Sequence, residues 1–206
     1  MAITNAVPGF LPSTHGLRFA NRFPPGPTVR FGPLDPRRIG FGDASAGLCG
    51  GMVRFVRERF EAGLPIPPDA QAPAYGSPLS RALVRQQVRS LDWFWTPLRF
   101  WWMGAMGPRR AGRRSWDREG PRIRADIDAG RLVRVGLVRH QGLHPWLMTW
   151  SHQVVAYAYE AEDDILTLRV YDPNWPGRDD VSVTIYASAA LHQSTGEPLI
   201  GLFRIG

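Results

Sequence analysis

The sequence predicts an α+β domain, with helices first and a largely antiparallel sheet after them. Apolar residues recur at helical spacing over 49–62, 78–93 and 120–129, whereas beyond residue 130 they fall in short runs rich in β-branched and aromatic residues. The connections between those runs are short, as neighbouring antiparallel strands require. At 206 residues the chain has the length of a single domain with a sizeable core.

Residues 1–39 are rich in Pro and Gly ("RFPPGPTVRFGPLDPRR") and carry neither period, which predicts an irregular lead-in wrapping a domain that spans 40–206. The first helix begins at Cys49. Met52, Val53, Phe55, Val56 and Phe60 lie on one side of it, and "AGLPIPP" stops it. The second runs from about Pro78 to Trp93, with Ser77 as N-cap, Pro78 at its first position, and Leu79, Leu83, Val84, Val88 and Leu91 at helical spacing. A third, shorter helix covers Gly120 to Ala129 and ends at Gly130. Strands are expected at 131–139, 152–160, 165–172, 181–187 and 199–206. Two segments lie between the helices. "DWFWTPLRFWWMGAM" (92–106) reads as core broken in two by Pro97, and "RRAGRR" (109–114) as a solvated loop. In a minority reading the tryptophan-rich stretch is instead an exposed apolar face that binds a partner, a lipid or an apolar substrate segment.

Charge and cysteine content narrow the function classes. The net charge is +7 and every one of the 25 basic residues is an arginine, a bias of usage across the whole chain. No nucleic-acid module accompanies it, so no specific nucleic-acid partner is expected. Arg109, Arg110, Arg113 and Arg114 are candidates for weak contact with an anionic surface. A single cysteine forms no internal disulfide. The start "MAITNAVPGFLPSTHG" lacks the regions of a secretory signal, and no apolar run reaches membrane-spanning length. A soluble, cytoplasmic protein is the expectation.

The chemistry concentrates on that cysteine. Cys49 stands in "GLCGGM" at a helix N-terminus, where the backbone dipole favours thiolate, and Gly50 and Gly51 would leave room beside the sulfur for a substrate carbonyl. His152 heads the apolar run "HQVVAYAYE", a strand end that holds an imidazole rigidly. If this strand and the next pair as a hairpin across 161–164, Asp172 in "VYDPNWPG" returns to the level of His152 and orients its ring. Trp146 and Trp150, in "HPWLMTWSH", and Trp175 are expected to shape a pocket. The spacing of His140, His144 and His152 invites a metal reading, but Pro145 and the intervening loop argue against one, and no metal or other cofactor is expected.

These motifs, "GLCGGM", "HQVVAYAY" and "VYDPNWPG" in that order, resemble the papain-like cysteine peptidase superfamily, in particular its bacterial branch similar to the bacteriocin-leader-processing peptidases. The resemblance implies a papain-like α+β fold and a thiol peptidase or amidase acting on a peptide or other amide. Cys49 would be the nucleophile, His152 the general base and acid, and Asp172 the orienter, with Asn174 an alternative third member. The family usually carries Gln six residues before the cysteine to bind the oxyanion, whereas this chain has Asp43 there. Either Asp43 points elsewhere or is protonated, or the Cys49 amide works with another donor such as Asn21. The alternative is a catalytically silent papain-like module that binds a protein or membrane.

Overall fold

The computed structural model describes residues 2–23, 47–92, 95–142 and 151–206. Strand β1 (Ile3–Ala6) and a single helical turn α1 (Pro12–His15) come first. Five longer helices follow: α2 (Cys49–Glu61), α3 (Pro78–Ser90), α4 (Trp95–Ala105), α5 (Pro108–Arg114) and α6 (Gly120–Asp128), the last two joined by a π-helical turn (Ser115–Glu119). The chain closes with β2 (Val133–Val138), β3 (His152–Glu162), β4 (Ile165–Tyr171), β5 (Ser182–Tyr186), β6 (Leu191–Gln193) and β7 (Gly201–Ile205).

All described strand pairs are antiparallel, in the order β6-β5-β4-β3-β2-β7. This gives the α+β class read from the sequence. Strand β3 is the spine: β4 lines one edge along most of its length, and β2 lines the other from His152 to Ala156. Strand β1 takes over that edge from Ala158 to Ala161. Residues 3–6, expected to be irregular lead-in, are therefore a sheet strand. Four exposed residues carry no pattern that announces a strand, because β3 supplies the pairing. The β3–β4 hairpin turns at 163–164, where the sequence placed it, and a bulge between Ala156 and Ala158 shifts its register by one residue.

Two buried clusters hold helices to the sheet. In the larger, Met52, Val53 and Val56 of α2 and Ile123 and Ile127 of α6 pack among Val135, Leu137, Val154, Leu168 and Val170. Each such side chain contributes about 1.5–3 kcal/mol of burial free energy. The smaller cluster joins Phe100 and Met103 of α4, and Ala111 of α5, to Val138, Phe203 and Ile205. All six residues of β2 are buried, so neither face of the sheet is open there.

Two segments depart from expectation. "DWFWTPLRFWWMGAM" is not broken by Pro97 within its described part: Pro97 falls in the first turn of α4, where its missing N–H interrupts no helical hydrogen bond. Nor is it mainly core, since Trp95, Leu98, Trp101 and Trp102 are exposed. "RRAGRR" is the helix α5 rather than a loop, and Gly112 packs against Ala189. Trp93 lies outside the described residues, and α3 ends at Ser90 with Val88 on its exposed side.

Helices α2 and α3 approach closely because of glycine. A Cβ on Gly51 would stand 2.4 Å from the Leu83 carbonyl oxygen and 2.9 Å from the Gln87 backbone nitrogen, both fixed main-chain atoms. We expect Gly51→Ala to lower stability by about 1–3 kcal/mol in urea unfolding, as overpacking does. Unchanged stability would contradict this packing.

Candidate active site

Cys49 is the first residue of α2, and the backbone before it is tightly held. Gly47 has φ +91°, a conformation that favours glycine, and a Cβ there would lie 2.5 Å from the Asn21 side-chain nitrogen. Asn21 Oδ1 accepts the Leu48 amide at 2.6 Å, and Asn21 Nδ2 donates to Asn174 Oδ1 at 3.3 Å. The Asn21 amide itself donates to the Pro173 carbonyl at 2.9 Å. Thus the lead-in ties the turn before Cys49 to the turn after Asp172.

His152 opens β3, where its partner across the β2 ladder is Leu137, and is 4 % exposed. Its Nε2 lies 2.7 Å from Asp172 Oδ1, which leaves Nδ1 for the Cys49 sulfur, with which the ring is hydrogen-bonded. Asp172, the first residue after β4, is fully buried, and each of its oxygens has a further donor. The Asn174 amide reaches Oδ1 at 2.8 Å and Gln193 Nε2 reaches Oδ2 at 2.9 Å. Gln193 is itself fully buried and sits on β6, which reaches the site through β5. Its Oε1 accepts from Arg139 Nη2 at 3.4 Å.

Burial alone would raise the pKa of the Cys49 thiol. The hydrogen bond and charge of His152, with the amides of Gln153 and Gly50, more than offset it and hold the thiol below its ordinary value. Burial likewise opposes a charged His152, but Asp172 and Cys49 outweigh it and push the imidazole up to about 10. Burial opposes the Asp172 charge as well. His152, the Asn174 amide and Arg139 overcome it and lower the carboxyl pKa. These shifts favour a thiolate–imidazolium pair backed by a carboxylate, present above the depressed Cys49 pKa and lost as His152 deprotonates at about 10. Stability follows the same signs. The His152 contribution is complete below its ordinary pKa of about 6.5 and is lost as pH rises through the folded value, while that of Asp172 is present above about 3.9 and is lost as pH falls through its depressed value.

The structure thus brings Cys49, His152 and Asp172 together. Asn174 is not the group on the imidazole: its amide holds Asp172 and its side chain faces Asn21. Gly50 and Gly51 are buried and do not open space for a substrate. A Cβ on Gly50 would lie 2.3 Å from Ser90 Oγ and 2.8 Å from Gln153 Nε2, so both glycines admit neighbouring groups to the helix instead. Trp175 is half-buried, donates its indole N–H to Glu197 Oε1 at 3.4 Å and stacks under Arg178. It braces two loops. Asp43, Trp146 and Trp150 lie outside the described residues. A cavity of about 510 Å³ lies at the turn end of the β3–β4 hairpin, lined by Trp116, Arg124 and Asp163 among others, and is no part of this site.

Sequence reasoning missed two glutamines. Gln193 lies in "LHQ", too short to read as a strand, and its role depends on β6 pairing with β5. Gln153 was legible only as a polar residue in an apolar run, although its amide faces the Cys49 sulfur and its side chain is buried beside Gly50. None of the family models, curated proteins or solved structures compared with the chain matches it.

Gln193→Leu would strip Asp172 Oδ2 of its side-chain donor in a buried site and raise the carboxyl pKa. We expect the iodoacetamide reaction of Cys49 in mildly acidic solution to slow about tenfold, as the loss of about one pKa unit of charge stabilisation implies. A rate–pH profile identical to that of the unmodified chain would contradict the assignment.

Proposed function

We propose that the chain is a papain-like cysteine hydrolase acting on a peptide or another amide through an acyl-enzyme. The observation that carries this reading is one buried imidazole hydrogen-bonded to the Cys49 sulfur on one side and to Asp172 at 2.7 Å on the other. A buried histidine needs a partner for each ring nitrogen, and a merely structural one finds them in backbone groups or neutral side chains. Here the ring has two of opposite chemistry, a nucleophile and a carboxylate, at the N-terminus of a 13-residue helix.

In the reaction, the thiolate adds to the acyl carbonyl and forms the C–S bond while the carbonyl pair moves to oxygen. The oxyanion would be met by amides at the start of α2. His152 then gives its Nδ1 proton to the leaving amine as the C–N bond breaks. Neutral His152 next takes a proton from water, which attacks the thioester and releases the acid and the thiolate. Asp172 stays ionised throughout and keeps the ring in register. Asn21, which already donates to Asn174, would hold the loop before Cys49 rather than serve primarily as oxyanion donor. Among the described residues no helix is long and apolar enough to cross a membrane, and a free thiolate suits the reducing cytoplasm.

Profiling with an electrophilic peptidyl probe, such as a peptidyl vinyl sulfone, tests the reading. We expect labelling at Cys49 alone, none in Cys49→Ala, and about a hundredfold or greater slowing in His152→Ala, the usual contribution of a positioned acid–base group. Equal labelling with and without His152 would leave a silent module of the same architecture.

A further inference from the structure

The outer face of α4 has no counterpart in the proposed chemistry. Its inner face is fixed. Thr96, Phe100, Met103 and Gly104 are buried, Phe100 meets Phe203 edge-to-face at 4.7 Å, and Arg99 reaches the fully buried Glu119 at 3.2 Å. The opposite side presents Trp95 (64 % exposed), Leu98 (49 %) and Trp102 (43 %), spaced i, i+3, i+7. Three large apolar side chains thus stand in water on a helix that is held rigidly beneath.

The next helix, α5, carries four arginines, one of which contacts this ridge. Arg114 of α5 lies over the Trp102 ring at 4.6 Å and is also 3.7 Å from Glu119, so α5 is locked beside α4. Arg109, Arg110 and Arg113 are exposed on the same short helix. Arg113 has only a 4.0 Å contact with Asp117, and among the described residues Arg109 and Arg110 have no acidic partner. The segment from Pro108 to Arg114 holds four positive charges and no negative one.

We propose that the α4–α5 face docks the protein on an anionic lipid bilayer. Indole rings settle at headgroup depth because they join a large apolar body to one N–H donor, and guanidinium groups pair with lipid phosphates. The exposed apolar side chains of α4 and the arginines of α5 together supply the insertion and the charge attraction that hold a protein on an anionic bilayer. The positive flank selects negatively charged lipid, each arginine near such a surface strengthening attachment about fivefold. The site around Cys49 does not depend on this surface, and the surface does not depend on catalysis.

Co-sedimentation of the full chain with vesicles tests it. The wild type should bind vesicles of mixed phosphatidylcholine and phosphatidylglycerol, with a blue shift in tryptophan emission, and should bind phosphatidylcholine alone far more weakly. Arg109→Glu with Arg110→Glu, and separately Trp95→Ser with Trp102→Ser, should each weaken binding by about tenfold or more. Circular dichroism and an unchanged rate of Cys49 alkylation would establish that these variants fold. Cys49→Ala should bind as the wild type does, which separates this proposal from the hydrolase reading. Absence of lipid-dependent sedimentation, or equal binding by well-folded variants, would overturn it. So would a concentration-dependent dimer that is lost in Trp95→Ser/Trp102→Ser without vesicle binding, since a second copy would then be what covers the face.

Discussion

The 2.7 Å hydrogen bond between His152 and Asp172 is the constraint on which the proposed chemistry rests. Two ionisable groups, 4 % and 0 % exposed, stay charged in a buried site only if they face each other and their remaining valences are filled. Asn174 and Gln193 fill those of Asp172, and the Cys49 sulfur takes the other side of the ring. A neutral imidazole would leave Cys49 a buried thiol, pushed up by desolvation. The lowered pKa of Cys49 therefore depends on a carboxylate that it does not touch.

Much of the architecture exists to hold that bond. The β3–β4 hairpin brings positions 20 residues apart in sequence to one end of the sheet, and the bulge at 156–158 absorbs a residue before the ladder reaches them. Helix α2 must then approach with its first residue at that level. Gly50 and Gly51 allow it by admitting Ser90, Gln153 and the α3 backbone where side chains would stand. Asn21 closes the arrangement from the lead-in by bonding to both the Cys49 and the Asp172 turns. The ridge of α4 lies outside this framework and is anchored through Glu119 and the smaller buried cluster around Phe203.

What could be read from the sequence follows from how local each signal is. The helices at Cys49, Pro78 and Gly120 announce themselves through apolar period, cap and terminating glycine or proline, and the hairpin through its two flanking runs. Cys49, His152 and Asp172 were legible because a helix start and one hairpin fix where all three stand. Strand β1 and residue Gln193 were not, since each gains its place only from a neighbour distant in sequence. The 92–106 segment misled for a related reason: tryptophan content argues for burial, whereas only the packing of Phe100 and Met103 decides which side of the helix faces inward.

One titration bears most directly on the central claim that Cys49 rests as a thiolate paired with His152. Because the chain holds a single cysteine, the ultraviolet absorbance of the thiolate reports this one group without interference from another thiol. The account predicts that the signal persists below the ordinary thiol pKa of about 8.5, and that in His152→Ala it moves up to or beyond that value. A wild-type transition at or above about 8.5 would contradict it.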